Sequence, residues 1–482
     1  MKKAKLFILS IALMFIGIIG VNAEEITVCS SGCDHNNMLA AINAATDGDT
    51  IKMTENMTNS DLLLVTKSVT FDLGGKKLTT SQHFVVLPRT GTNPDVIIKN
   101  GTIELTDKDI QLVVQGADVK DTANTKLTIE KDATILNNSE GNGVAAIMVQ
   151  SAGNEAYDTI VDIKGTVKGT TFAITIHGDT NKVDAQAPII NIYDSAKLTS
   201  VSGPAIYGAG YGFWNINGGT IEGKEALSIK SGEYTITGGK FSATGEYVEN
   251  PISDNSGSEP TGAAISITAN NSYAGHVKMN ISGGEFTSKN GNAIYEGQTN
   301  SNSTVVDEIK ISDGKFISAE GKATVRVTST SDKLEGFIAG GEYSEDPKEE
   351  LIVQNKVTKQ LPNGNYVIGE ERNIKVADTK NGKVTVDKSK AVKGEIIKLT
   401  ITPDKGYELD KIIVKGLQDQ KEITGTEFEM IDEDIEFVVT FKKVSTSVKN
   451  PNTGDNIMMI LSIAFISLAG IIAASKKLKS NC

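Results

Sequence analysis

Ile216-Asn217-Gly218-Gly219-Thr220-Ile221 holds the pattern that decides the fold: an isoleucine, a glycine three positions on, and an apolar or aromatic residue five positions on. The same pattern returns as Ile98-Gly101-Ile103, Ile236-Gly239-Phe241, Ile281-Gly284-Phe286, Ile311-Gly314-Phe316 and Ile338-Gly341-Tyr343. Downstream of most copies stands a second short run, as in Ala226-Leu227-Ser228-Ile229, Ala264-Ile265-Ser266-Ile267, Ala293-Ile294-Tyr295 and Ala323-Thr324-Val325-Arg326-Val327. Short β-branched runs that alternate apolar and polar residues read as strands, and glycine-rich turns between them read as corners. From Ile216 onward the marker isoleucines lie 20, 45, 30 and 27 residues apart, and the gap of 45 holds either an extra coil or the polar insertion from Glu246 to Pro260. Such a period suits coils that bury their inward rows only against one another, with caps needed at both ends. The expectation is an all-β chain built on a parallel β-helix over 24–345, rising about 4.8 Å per coil. A β-propeller would need longer and more even repeats.

Outward from the repeat, Met38, Leu39, Ile42 and Ala45 fall on one helical face, with Asp34 and Asn36 as candidate N-caps. A short helix there is expected to close the open end of the core. Leu39-Ala40-Ala41-Ile42-Asn43-Ala44-Ala45, followed by Gly48-Asp49-Thr50-Ile51, resembles the opening of pectate-lyase-like β-helix proteins. That resemblance implies a right-handed parallel β-helix with an N-terminal helical cap, and says little about activity.

Beyond a connector at 346–369 the rhythm changes. Strand-like runs Ile374–Ala377, Val384–Val386, Ile396–Thr402, Ile412–Val414 and Glu436–Phe441 indicate a separate small β domain at 370–443. Pro403-Asp404-Lys405-Gly406-Tyr407-Glu408-Leu409, with Phe428-Glu429-Met430 and Phe437 to Phe441, resembles the small repeat modules of bacterial surface proteins. The resemblance implies a spacer, here followed by a linker at 444–449.

The two ends suggest export and anchoring. Lys2, Lys3 and Lys5 precede an apolar run from Leu6 to Ile19 and the small-residue site Val21-Asn22-Ala23, which reads as a signal peptide over 1–23. At the other end stand Asn450-Pro451-Asn452-Thr453-Gly454, an uncharged apolar stretch at 457–474, and a basic tail at 475–482 with Lys476, Lys477 and Lys479. Alone, the apolar stretch would read as a membrane helix held by cytoplasmic lysines. With the pentapeptide before it, the end resembles the sorting signal of Gram-positive surface proteins, in which Pro451, Thr453 and Gly454 match Leu-Pro-x-Thr-Gly and Asn450 replaces leucine. The resemblance implies a sortase as partner, cleavage after Thr453, and covalent transfer of its carboxyl to peptidoglycan. The apolar stretch then spans the membrane only as a sorting intermediate, and the protein ends on the extracellular face of the wall.

The charge agrees with that setting. The chain carries net charge -12, and removing the basic ends, +3 in 1–23 and +2 in 454–482, leaves -17. Such a polyanion disfavours nucleic acid as a partner. Of three cysteines, Cys29 and Cys33 remain after sorting. An exported pair at that spacing is expected either to close a short-loop disulfide or to stand as two thiols.

No catalytic constellation, metal site or cofactor motif emerges. The chain has three arginines, Arg89, Arg326 and Arg372, and Arg326 lacks the acidic neighbours a pectate lyase would require. Asp162, Asp179, Asp194, Asp307 and Asp313 could serve a glycosidase only by converging across coils. Asp432-Glu433-Asp434 and the Asp47/Asp49 pair lack the form of a calcium loop. The densest aromatic cluster is Tyr207, Tyr211, Phe213 and Trp214. Strand parity turns Trp214 inward, leaving Tyr207, Tyr211 and Phe213 as expected exposed contacts for a polysaccharide or host-surface ligand. The sequence favours a non-enzymatic surface module, adhesive or structural, over a carbohydrate-active enzyme on the same scaffold.

Overall fold

The computed structural model describes residues 23–445 except 140, 142, 151–155, 179–182, 250, 252–257, 269–272, 274–275, 298–305, 330–331 and 417–419. Apart from Ala23, the signal, sorting and tail segments read from the sequence therefore lie outside the described residues. Among the described residues there is one α-helix, and none long and apolar enough to cross a membrane.

The fold is all-β, with long parallel sheets. Each circuit of chain contributes to two of them. A smaller sheet of ten strands runs from Leu63–Val65 to Val325–Val327, every pairing parallel. A larger sheet of 20 strands holds two parallel rows, bridged by long strands such as Val277–Ser288 and Val306–Ile317 that pass through both. Each strand pairs with the equivalent strand one circuit later, so Ile216 lies beside Ile236 and Ile236 beside Ile281.

The repeated glycine marks the corner between the two rows. Gly101, Gly219, Gly239, Gly284, Gly314 and Gly341 all have positive φ, the region other residues enter at a cost. A side chain on Gly101 would also lie 2.5 Å from both Leu73 Cβ and Lys76 O. The apolar residue two positions after each glycine then points inward. Phe241, Phe286, Phe316 and Tyr343, on successive circuits, stack with centroids 4.6, 4.9 and 4.9 Å apart. Trp214 is fully buried and stacks on Tyr234 at 5.9 Å. One hydrophobic core runs from Val28 to Ile368.

The gap of 45 residues contains no additional coil. Gly232–Ile236 pairs directly with Val277–Ser288, and Leu227–Ile229 with Ile265–Ile267. The extra length falls between these paired strands, at 244–264 and 268–276, parts of which lie outside the described residues.

At the N-terminal end, Met38–Ala44 is helical and buries Met38, Ala41 and Ile42. It packs against Glu25–Val28 and Leu63–Val65, the first strands of the two stacks. Its N-cap is Asn37, whose Oδ1 accepts from Ala40 N at 2.8 Å. Asp34 instead accepts from Thr27 N and Oγ1, which removes it from the cap position anticipated from sequence. Cys29 and Cys33 form a disulfide within this terminal turn.

At the other end, the stretch read as a connector folds back. Val357–Gln360 and Tyr366–Gly369 form an antiparallel hairpin whose second strand pairs with Gly341–Tyr343 and extends the larger sheet. Beyond it, Arg372–Lys443 builds two small sheets around a separate core of Ile374, Ile397, Ile412, Met430 and Phe437.

Removing one ring from the aromatic stack leaves a cavity that its in-register neighbours cannot fill. Phe286→Ala is expected to cost about 3–5 kcal/mol, read as a lowered denaturant midpoint.

Candidate ligand-binding face

Strand alternation gives each sheet one face toward the core and one away from it, and the two outer faces differ. On the smaller sheet the outer residues are covered. Successive circuits present Met148, Thr175, Tyr207, Ser228, Ser266, Tyr295 and Arg326 in one register, and all but Arg326 are buried.

Tyr207 was expected to be exposed and is not. It is 6% accessible, stacks on Phe172 at 4.8 Å, and its hydroxyl lies 3.1 Å from that of Tyr273. Burial pushes its phenol far above the ordinary range, with Tyr273 adding to the effect. Arg326 donates from Nη1 to the Tyr247 hydroxyl at 2.8 Å and faces the Tyr295 ring, so its role is packing across circuits.

The excursion that lengthens the repeat supplies the cover. Lys230, wholly buried on the outer face, reaches Glu259 Oε1 at 2.7 Å and donates to Thr268 O at 2.8 Å. Glu225, also buried, accepts from Thr261 N and Gly262 N at 2.8 and 2.9 Å. Burial raises the Glu225 carboxyl above its ordinary value, and those two amides partly oppose the shift. Glu296 is raised by burial as well, against bonds from Ser329. The sequence hid these anchors, because a lysine after Leu-Ser-Ile and a glutamate inside a polar insertion look like solvated residues.

The outer face of the larger sheet is open in its middle. Ile160, Ile189 and Phe213 occupy one register on three consecutive circuits, each half-buried. One step along the same strands lie Asp162, Asn191 and Asn215, which form a hydrogen-bonded ladder. Asn191 Nδ2 donates to Asp162 Oδ1 at 2.8 Å, and Asn215 Nδ2 to Asn191 Oδ1 at 2.9 Å. Lys126 Nζ lies 3.4 Å from Asp162 Oδ2.

Tyr211 meets Phe213 edge-on at 5.8 Å, at the end of this apolar stripe. It too departs from the exposed placement expected for it, being 4% accessible with its hydroxyl donating to Glu233 Oε1 at 2.8 Å. Phe213 alone of the three rings keeps an open flank. Beside Ile160 and Ile189 a recess of about 330 Å³ is walled by Asn93, Asn124, Lys126, Asp158 and Gln186. A depression of about 730 Å³ in the C-terminal module, lined by Lys421, Glu427, Asp432 and Glu433 among others, lacks this combination of apolar floor and amide rim.

The carboxylates singled out from sequence are dispersed. Asp162 belongs to the ladder, Asp307 holds His276 and Lys333, and Asp313 meets Lys393 of the following module. Asp194 sits in a corner against Gly218, and Asp179 lies outside the described residues. Among the described residues no group of three His, Cys, Asp or Glu side chains is placed to hold a metal ion.

Residues 372–445 match the Divergent InlB B-repeat domain family, a module typical of bacterial surface proteins, and the small β domain coincides with that match. No curated protein and no solved structure matches the chain.

Two outcomes follow for the covered face. Lys230→Met strands a buried carboxylate and is expected to cost about 3–5 kcal/mol; adding Glu259→Leu should recover most of it. Glu225 binds its proton more tightly folded than unfolded, so its contribution is present in acid and declines as pH rises from the ordinary glutamate value of 4.5 toward its raised folded value. Glu225→Gln should flatten that decline in denaturant midpoints measured across pH.

Proposed function

We propose that this protein is exported, wall-anchored and displayed on the bacterial surface as a non-catalytic rod. The stacked sheets are a right-handed parallel β-helix of the pectate-lyase-like kind, with helix Met38–Ala44 as its N-terminal cap. The module at 370–443 and the linker at 444–449 lift the rod away from the wall. A sortase reads Asn450 to Gly454, cleaves after Thr453 and joins that carboxyl to peptidoglycan, while the apolar segment and terminal lysines stall the chain in the membrane. The match of residues 372–445 to a surface-protein repeat family, immediately before that pentapeptide, carries the reading. The role at the surface is adhesion, glycan contact or architecture.

The alternative, a glycosidase or lyase on the same scaffold, needs two carboxylates facing one another across adjacent coils. Asp162, Asp307 and Asp313 are engaged separately with their own cations, which weighs against it.

Muramidase digestion of walls should liberate the protein with attached wall fragments, and Thr453→Ala should move it to the detergent-soluble membrane fraction. Detergent extraction of a full-length unmodified chain from untreated cells would contradict the anchoring. Release of new reducing or unsaturated sugar ends from a polysaccharide panel would favour the enzyme instead.

A further inference from the structure

The open face of the larger sheet carries two rows side by side, with a recess next to Ile160 and Ile189. One is apolar, with Ile160, Ile189 and Phe213 in register. The other is polar, with Asp162, Asn191 and Asn215 on the same three circuits. Both repeat once per strand spacing, about 4.8 Å. We propose that this face binds a linear, uncharged glycan lying along the axis of the stack. The inference deepens the glycan-contact part of the proposed function and rests on it, but does not depend on attachment to the wall.

The chemistry of the rows selects the ligand. A pyranose ring has an apolar C–H face and a rim of hydroxyls, and a linear glycan repeats both at an interval close to the rung spacing. Laid along the stripe, successive rings place their C–H faces on isoleucine and phenylalanine and their hydroxyls on the amide ladder. An asparagine amide has two N–H donors and two acceptor lone pairs. The ladder uses one donor of Asn191 and one of Asn215, leaving capacity on each for a hydroxyl. The recess beside Ile160 and Ile189, about 330 Å³, gives the chain end a concave seat among Asn93, Asn124 and Gln186. Pockets of this size with an apolar floor and a few convergent polar groups are the usual form of a small-ligand site.

Charge narrows the class further. Lys126 is taken up by Asp162 at 3.4 Å and Lys278 by Glu233 at 3.0 Å, while Asp95 and Asp158 add negative charge at the rim. The face therefore repels uronates, sulfated sugars and phosphate-bearing polymers. An extended peptide is a poorer fit, because the strands forming this face already have their backbone groups paired on both sides.

The test is calorimetric titration of the full-length chain, held in a non-glycosidic detergent, with cellohexaose and chitohexaose as neutral probes and hexagalacturonate as the charged one. At least one neutral hexasaccharide should bind, and its disaccharide should bind about tenfold more weakly because it spans two of the three rungs. Hexagalacturonate should show no binding. Phe213→Ala and Asn191→Ala should each weaken the hexasaccharide by about tenfold with unfolding midpoints close to that of the unchanged chain. The proposal is overturned if neither neutral hexasaccharide binds, if the disaccharide binds as tightly, or if hexagalacturonate binds equally. Binding unaltered in both folded variants overturns it too. Should a variant fail to fold, the length series on the unchanged chain decides. Loss of the glycan result with wall attachment intact removes this inference alone.

Discussion

Everything in the larger domain follows from in-register parallel pairing between one circuit and the next. That register forces equivalent residues to stand on top of one another, so an inward position must be filled by side chains that stack. Phe241, Phe286, Phe316 and Tyr343 satisfy this with nearly parallel rings at 4.6 to 4.9 Å. The separation sits close to the strand spacing itself. No circuit can bury its own inward row, so each depends on its neighbours. Helix Met38–Ala44 packs at the first strands, and the hairpin at 357–369 pairs with the last strand of the larger sheet.

The same register acts on the outer faces and gives them different uses. On the smaller sheet it lines up polar and aromatic residues that excursions from the chain then cover, at the cost of burying Lys230 and Glu259. A buried ion pair is a weak source of net stability but a strong penalty when one partner is lost. Here the pair joins the outer face of the smaller sheet to the insertion at Glu259. On the larger sheet the register lines up the Asp162, Asn191 and Asn215 ladder beside a half-buried apolar stripe of Ile160, Ile189 and Phe213.

Much of this was legible in the sequence, for a physical reason. A corner with positive φ demands glycine, and a stacked inward row demands apolar residues at fixed distances from it, so Ile216, Gly219 and Ile221 advertise one coil. Where another residue turns the corner the signal fades. Ala133 pairs with Gly101, and Ala196 stands where the next circuit has Gly219. In the circuit between these two Gly165 stands opposite Ala133 but follows Ile163 by two positions rather than three, so the circuits between 105 and 213 lack the motif although they belong to the same stack. Trp214 was placed inward by parity alone, which depends only on strand geometry. Tyr207 and Tyr211 were misplaced because parity says which way a residue points but not what covers it. That cover comes from Tyr273 and Glu233, 66 and 22 residues away in sequence. The amide ladder was invisible for a related reason, since Asp162, Asn191 and Asn215 become neighbours only once the register is known.

The central claim is that circuits separated by long and unequal stretches of sequence are adjacent rungs of one stack. The sharpest case is Thr235 and Asn280, paired in register across the longest gap in the repeat. Spin labels placed at those two positions, with Cys482 replaced by serine and Cys29 and Cys33 left paired, report their separation directly. Adjacent rungs put the two backbones about 5 Å apart, and strong dipolar broadening of the spectrum is the expected result. A spectrum equal to the sum of the singly labelled chains would mean that another coil intervenes or that the stacking is wrong.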